Sequence, residues 1–430
     1  MFENRLELFP ASTSVENGIL HVGQANLSEL AQVYGTPLYV YDAGEMDLAL
    51  HQYVSALQKY WPSGKWGITY AGKAYLSSAI CQWVAQNSID LDCTGAGEIG
   101  IAARNGLPAK NIKVHGVNKN REDLKAAFDH AGTIIVDNLA ELENIARLAG
   151  GKQIPQLWLR FQPGSSVDTH SYTQTGHAGS KFGMDADQTR QAITYCKQYG
   201  LPLAGIHFHQ GSQFRDPEPL GDALCKTLDL VSEAGFGTDW HLSPGGGWGV
   251  SYNEKELPNP SIEHYVRFIC ELAAQECKKR GIALPTLHLE PGRSLVARAG
   301  VALYEVNAVK TVAGKNWALI DGGLADNPRH ALYNAQYSCL RVNRPFDGVG
   351  ANTSLAGPFC ESGDVLIEAI DMPLLAQGDL VAIPVSGAYQ LSMASNYNGA
   401  RKPAVLSVKD GTVRLVQRRE TVEDLIDRDL

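Results

Sequence analysis

Between about residues 66 and 290, apolar and β-branched residues gather into short runs, with longer stretches of helical periodicity between them. That alternation marks parallel strands joined by crossover helices, because a strand covered on both faces reads as an unbroken apolar run. Eight runs fit: 66–70, 89–93, 112–115, 134–136, 157–161, 204–208, 240–242 and 287–289. Eight parallel strands close a (β/α)8 (TIM) barrel, and the span agrees with the roughly 250 residues such a barrel takes. The stretches 77–86, 121–131 and 262–280 read as helices, the last ending on Arg280-Gly281, a cation followed by the glycine expected at a helix stop.

Beyond residue 300 the texture changes. Runs at 301–309, 317–320, 365–370, 380–385 and 405–408 follow one another without helical intervals, and Lys409-Asp410-Gly411-Thr412 reads as a hairpin turn. The expected fold class is therefore α/β, a barrel over 36–298 with a second, antiparallel β domain built from 1–35 and 299–430 as a sandwich or barrel. The Ser-, Thr-, His- and Gly-rich stretch 164–179 is long enough to suggest a functional loop.

Composition narrows the function classes. A chain of 430 residues has room for two cores, and 44% apolar with 19% charged residues is a globular balance. The net charge of -9 is spread out, with no lysine/arginine block to neutralise a row of phosphates, so no nucleic-acid partner is expected. No apolar stretch approaches a membrane span, and Met1-Phe2-Glu3-Asn4-Arg5 does not open a secretory signal, so cytoplasmic residence is expected. The cysteines (Cys81, Cys93, Cys196, Cys225, Cys270, Cys277, Cys339, Cys360) form no Cys-x-x-Cys pair and have no histidine at zinc spacing, so no metal site is expected.

Barrel enzymes keep their chemistry at the carboxyl ends of the strands. There the first run leads into Tyr70-Ala71-Gly72-Lys73-Ala74, and the sixth into His209-Gln210-Gly211-Ser212-Gln213. The seventh leads into Gly245-Gly246-Gly247, and the eighth into Glu290-Pro291-Gly292-Arg293. Singly, each has a plain reading: a solvated lysine, a core histidine, a flexible turn, a structural ion pair. Together they ask for one chemistry. A lysine forms a Schiff base with an aldehyde cofactor, a glycine-rich loop cradles its phosphate, and a carboxylate keeps a pyridine nitrogen protonated. That cofactor is pyridoxal 5'-phosphate.

These motifs, with Cys360-Glu361-Ser362-Gly363-Asp364 and Gly387-Ala388-Tyr389, resemble the alanine racemase-like (fold type III) pyridoxal-phosphate enzymes, specifically the diaminopimelate decarboxylases. The resemblance runs nearly end to end. It implies that Lys73 carries the cofactor, His209 stacks on its ring, Glu290 faces the pyridine nitrogen, and Ser212, Gly247, Gly292, Arg293 and Tyr389 hold it. It implies a homodimer whose sites are shared, with Cys360 and Glu361 contributed by the neighbouring subunit and Cys360 acting as the proton donor. Arg293, Arg329, Tyr333, Glu361 and Tyr389 would bind an amino-acid substrate that has a distal carboxylate and a distal amine, meso-2,6-diaminopimelate, yielding L-lysine and CO2. The alternatives are a decarboxylase of another diamino acid or carboxylated polyamine (ornithine, lysine, arginine, carboxynorspermidine) and a non-catalytic pyridoxal-phosphate carrier.

Overall fold

The apolar runs pair as eight parallel strands, numbered here β1 (Trp66–Ala71), β2 (Asp90–Cys93), β3 (Ile112–Val114), β4 (Thr133–Val136), β5 (Gln156–Arg160), β6 (Leu203–His207), β7 (His241–Ser243) and β8 (Thr286–Leu289). Each pairs with the next, and Leu289 opposite Ile68 joins β8 back to β1, closing the barrel. The computed structural model describes residues 2–164 and 179–430, so most of the 164–179 loop lies outside the described residues. The chain divides into a barrel unit, 51–249 with 260–292, and a β unit, 1–50 with 250–259 and 293–430.

In the barrel unit, burial follows from covering both faces of the strands: Thr-Ile-Ile-Val of β4 is buried at every position. The crossover helices start where a polar side chain takes up amide donors left free at a helix end. Asn120 and Asp123 form a reciprocal capping box at the helix Arg121–His130, and Asp185 and Gln188 do the same at Ala186–Tyr199. Gly281, at φ +66, ends the helix Ile262–Arg280 in the left-handed conformation that the Arg-Gly signal predicts.

The β unit is a nine-stranded sheet with a small three-stranded sheet near the amino terminus. Its long strand Gly300–Val312 pairs antiparallel with Lys315–Ile320, Leu380–Ile383 and Leu38–Asp42. Two pairings are parallel, so the sheet is mixed rather than wholly antiparallel as expected: Leu38–Asp42 with Ala404–Lys409, and Lys315–Ile320 with Gly350–Ala356. The hairpin at Asp410 and Gly411 has φ of +49 and +75, as a tight two-residue turn requires. Leu38, Val40, Val301, Leu303, Leu406 and Val408 pack into its core with Phe9, Leu20 and Val22.

The unit boundary differs from the expected residue 36. Leu38–Asp42 is a fully buried run that belongs to the β sheet, and the division falls inside the helix Ala43–Tyr60, where continuous helical periodicity hides it. The short segment 250–259 also belongs to the β unit, which no compositional shift marks.

Candidate active site

At the carboxyl end of the barrel, strand register sets a polar layer: His207 of β6 lies opposite Ser243 of β7 on one side and Arg160 of β5 on the other. Glu290, just past β8 and 7% exposed, accepts hydrogen bonds from both His207 and Ser243. The distances are 3.0 Å from His207 Nε2 to Oε2 and 2.7 Å from Ser243 Oγ to Oε1. Ser243 Oγ in turn accepts the Gly245 N–H at 3.1 Å, and the Glu290 N–H donates to the Gly245 carbonyl at 3.0 Å. Burial alone would raise the Glu290 carboxyl, yet His207, His115 and the two hydrogen bonds hold it well below the usual carboxylate range.

Around it sit His115, whose Nε2 is 3.6 Å from Glu290 and 3.7 Å from Asp92, and buried Arg160, 3.8 Å from Asp137. Burial holds the His115 imidazole well below its ordinary value, with the Glu290 charge pulling the other way. Burial pushes Asp92 up to about 7 against the pull of the Lys73 ammonium. Lys73 stands on the one-turn helix Gly72–Ala74 after β1, between buried neighbours, with its own side chain exposed. The Ala71 N–H donates to the Pro291 carbonyl at 3.1 Å, which ties this turn to the loop after β8. His209 is half-buried and is likewise held well below its ordinary value, by burial first and then by the Lys73 charge.

The glycine triplet is a packing requirement. A Cβ at Gly246 would lie 2.0 Å from the Glu290 carbonyl oxygen, and one at Gly247, whose φ is +101, would lie 2.1 Å from that of Gly211. At Gly245 it would meet His209 Nδ1 at 2.6 Å. A neutral imidazole, an ionised carboxylate held by two donors, a reachable lysine and a close-packed glycine loop form the donor set that pyridoxal phosphate needs, and the residues fit it.

The β unit carries its own cluster. Arg293 and Arg329, 7% and 6% exposed, lie with guanidinium carbons 5.6 and 4.5 Å from the centre of the Tyr252 ring. Arg293 donates to the Tyr252 hydroxyl and covers the Tyr389 ring at 4.7 Å. Arg329 Nη1 donates to the Tyr337 hydroxyl at 2.6 Å, and Gln390 donates to the same oxygen at 3.0 Å. Among the described residues no carboxylate lies within 4.0 Å of Arg329. Tyr389 holds φ at +61, a conformation that is strained for any residue with a Cβ. Tyr333 is half-buried on the helix Arg329–Tyr333, and the hydroxyl that Arg329 meets within this chain is that of Tyr337.

Cys360 and Glu361 are exposed on a turn that Asp364 fastens by accepting the N–H groups of Leu324 at 2.7 Å and Phe359 at 2.8 Å. Glu361 accepts from the Tyr397 hydroxyl at 2.5 Å.

Sequence reasoning named Lys73, His209, Glu290 and the glycines but gave no role to Asp92, His115, Arg160, His207 or Ser243. Their signal was available: Asp92, His115, Arg160 and His207 are polar residues near the ends of apolar runs, and Ser243 directly follows one, which is where a barrel keeps its chemistry. Tyr252 and Tyr337 carried no such mark.

Comparison with known proteins agrees with this geometry. A family model for the pyridoxal-dependent decarboxylases, pyridoxal binding domain, matches residues 48–297. Diaminopimelate decarboxylase of Bacillus subtilis (strain 168) is 39% identical over 436 residues, covering 98% of each chain. That of Actinosynnema pretiosum subsp. auranticum is 38% identical over 430 residues, covering 98% of this chain and 95% of the other. Crystal structures of the M. jannaschii diaminopimelate decarboxylase, one of them in complex with L-lysine, match with a TM-score of 0.91 at 30% and 29% identity, covering 98% of both chains. The chain belongs to the pyridoxal-dependent decarboxylases, within the family of the diaminopimelate decarboxylases.

Proposed function

We propose that the chain removes one carboxylate of meso-2,6-diaminopimelate, releasing CO2 and L-lysine, with pyridoxal 5'-phosphate as cofactor. The observation that carries the substrate choice is the pair of buried arginines about Tyr252, with no carboxylate beside Arg329 among the described residues. A buried cation without a counter-ion is costly, and a substrate with a distal carboxylate supplies one. Ornithine and lysine have none, so the arginines discriminate against them. The diaminopimelate decarboxylases among the relatives, and the L-lysine complex of one of them, support the same reading.

Bound pyridoxal phosphate supplies an electron sink for the pair left behind as CO2 departs. Lys73 holds the cofactor, neutral His209 covers the ring face, and Glu290 keeps the proton on the pyridine nitrogen. Ser212, Gly247, Gly292, Arg293 and Tyr389 hold the phosphate end. Arg293, Arg329, Tyr333 and Tyr389 orient the substrate's distal carboxylate and Glu361 its distal amine. The reading includes a homodimer in which Cys360 and Glu361 serve the partner's site, with the Cys360 thiol giving the proton to the carbon that lost CO2. The exposure of both residues in the single chain supports this. Eight unpaired cysteines support a reducing, cytoplasmic setting, and among the described residues no helix is long and apolar enough to cross a membrane.

The test is product identification. Incubation of the cofactor-loaded protein with meso-diaminopimelate is expected to release CO2 and L-lysine. Release of CO2 from ornithine, lysine, arginine or carboxynorspermidine but not from diaminopimelate would overturn the substrate assignment.

A further inference from the structure

Two donors converge on the Glu290 carboxylate, and each has its proton direction fixed by what lies behind it. His207 Nδ1 is buried and has no hydrogen-bond partner among the described residues, so it holds the lone pair. An N–H there would be left unsatisfied in the core. The imidazole proton therefore sits on Nε2, 3.0 Å from Glu290 Oε2. Ser243 Oγ accepts the Gly245 N–H at 3.1 Å, so its own proton points to Glu290 Oε1, 2.7 Å away. Both oxygens of Glu290 thus accept before any ligand arrives. Its other charged or titratable neighbours among the described residues include His115, Asp92, Arg160, His209, Tyr265 and His288.

We propose that His207 and Ser243 are positioning residues that keep the proton on the cofactor's pyridine nitrogen by making Glu290 a weak base, and that Ser243 links this carboxylate to the glycine loop. A proton shared between a pyridine nitrogen and a carboxylate stays with the more basic partner. Donors to a carboxylate stabilise its charged form and so lower its basicity. Remove one, and the proton moves from the ring to Glu290, leaving a neutral pyridine that draws electrons less strongly. The Gly245-to-Ser243-to-Glu290 chain places the group that fixes the ring nitrogen and the loop that packs against His209 on one set of hydrogen bonds. The proposal rests on the reading that the barrel holds pyridoxal phosphate.

The experiment loads the full-length protein with pyridoxal phosphate carrying 15N in the ring and reads the nitrogen's chemical shift, which separates protonated from neutral pyridine. The variants are His207→Leu, His207→Gln, Ser243→Ala and Ser243→Thr. Parent, His207→Gln and Ser243→Thr are expected to give the protonated shift, because each keeps a donor toward Glu290. His207→Leu and Ser243→Ala are expected to move toward the neutral shift at full cofactor occupancy. With that shift, kcat should fall about tenfold or more, as for loss of a hydrogen bond to a charged group, and KM should stay within about twofold. An unmoved nitrogen shift in both donor-less variants, with cofactor bound, would overturn the proposal even if kcat fell. So would a His207→Gln protein that behaves as His207→Leu does. Should His207→Leu fail to fold, Ser243→Ala, which empties little volume, decides the matter. Failure of the parent protein to bind pyridoxal phosphate at all would instead overturn the underlying reading and the proposal with it.

Discussion

His241 Nδ1 and His288 Nε2 lie 2.9 Å apart, sharing one hydrogen bond between β7 and β8. Trp158 of β5 packs against both rings at 5.1 and 4.8 Å, so the pair reaches across the interior of the barrel, away from the polar layer around Glu290. Burial, then the nearby Lys113 charge, holds His288 well below its ordinary value. The unfolded chain, titrating near 6.5, therefore binds more protons than the folded one below that pH. The stability is complete above about pH 6.5 and is lost as pH falls toward the folded value, by about 1.4 kcal/mol per pH unit for each such group. His115 and His209 shift in the same direction. Urea unfolding between pH 7 and 5 should show the loss, and His288→Gln, which keeps a partner for His241 but takes up no proton, should lessen the slope. An unchanged slope in that variant would contradict the assignment.

Lys73→Ala is expected to abolish turnover and leave thermal unfolding nearly unchanged, because the side chain is exposed and its removal empties no core. Borohydride reduction of the parent protein followed by peptide mapping should place the cofactor on Lys73. A label on a different lysine would refute the role.

Arg329→Ala removes one of the two guanidiniums about Tyr252 and leaves the Tyr337 hydroxyl without its cationic donor. Apparent affinity for meso-diaminopimelate should fall by at least about 2 kcal/mol, the scale at which a desolvated charge pair loses one member. Inhibition by L-lysine, which lacks the distal carboxylate, should weaken less. Equal losses for the two ligands would mean that Arg329 does not read the distal carboxylate.

The barrel was legible strand by strand because a parallel strand buried on both faces is an uninterrupted apolar run. All eight runs pair in the expected order. The strand Leu38–Asp42 was not legible as part of the other sheet, since Leu-Tyr-Val-Tyr-Asp carries nothing that tells a barrel neighbour from a β-sheet one. In the site, Lys73, Glu290 and the glycines announce themselves by residue type at strand ends. His207 and Ser243 also stand at strand ends, but residue type alone gives them no role, because that role comes from facing each other in register, a relation set by pairing between segments 36 residues apart. Tyr252 is harder still, lying in a ten-residue detour whose partners come from the chain after residue 292.

Mixing subunits tests the shared site. Lys73→Ala and Cys360→Ala proteins should each be nearly inactive, the second because loss of a general acid costs about 10²–10⁴-fold. If Cys360 serves the partner's site, each hybrid dimer holds one doubly damaged site and one intact site, and random reassortment should restore about a quarter of wild-type activity. No recovery, with hybrids confirmed by native mass spectrometry, would place both residues in one chain.

The pairing of Leu38–Asp42 also sets an order of events during synthesis. That strand leaves the ribosome early, yet its two neighbours, Gly300–Val312 and Ala404–Lys409, are made some hundreds of residues later. The eight barrel strands can all pair once residue 289 has emerged, whereas the β sheet waits for nearly the last residues of the chain. Contacts so distant in sequence are slow to form, and an unpaired apolar strand is exposed to wrong partners in the interval. A nascent chain stalled before residue 404 should therefore hold a closed barrel and an unfinished sheet, and a chain cut there should precipitate rather than yield a soluble half.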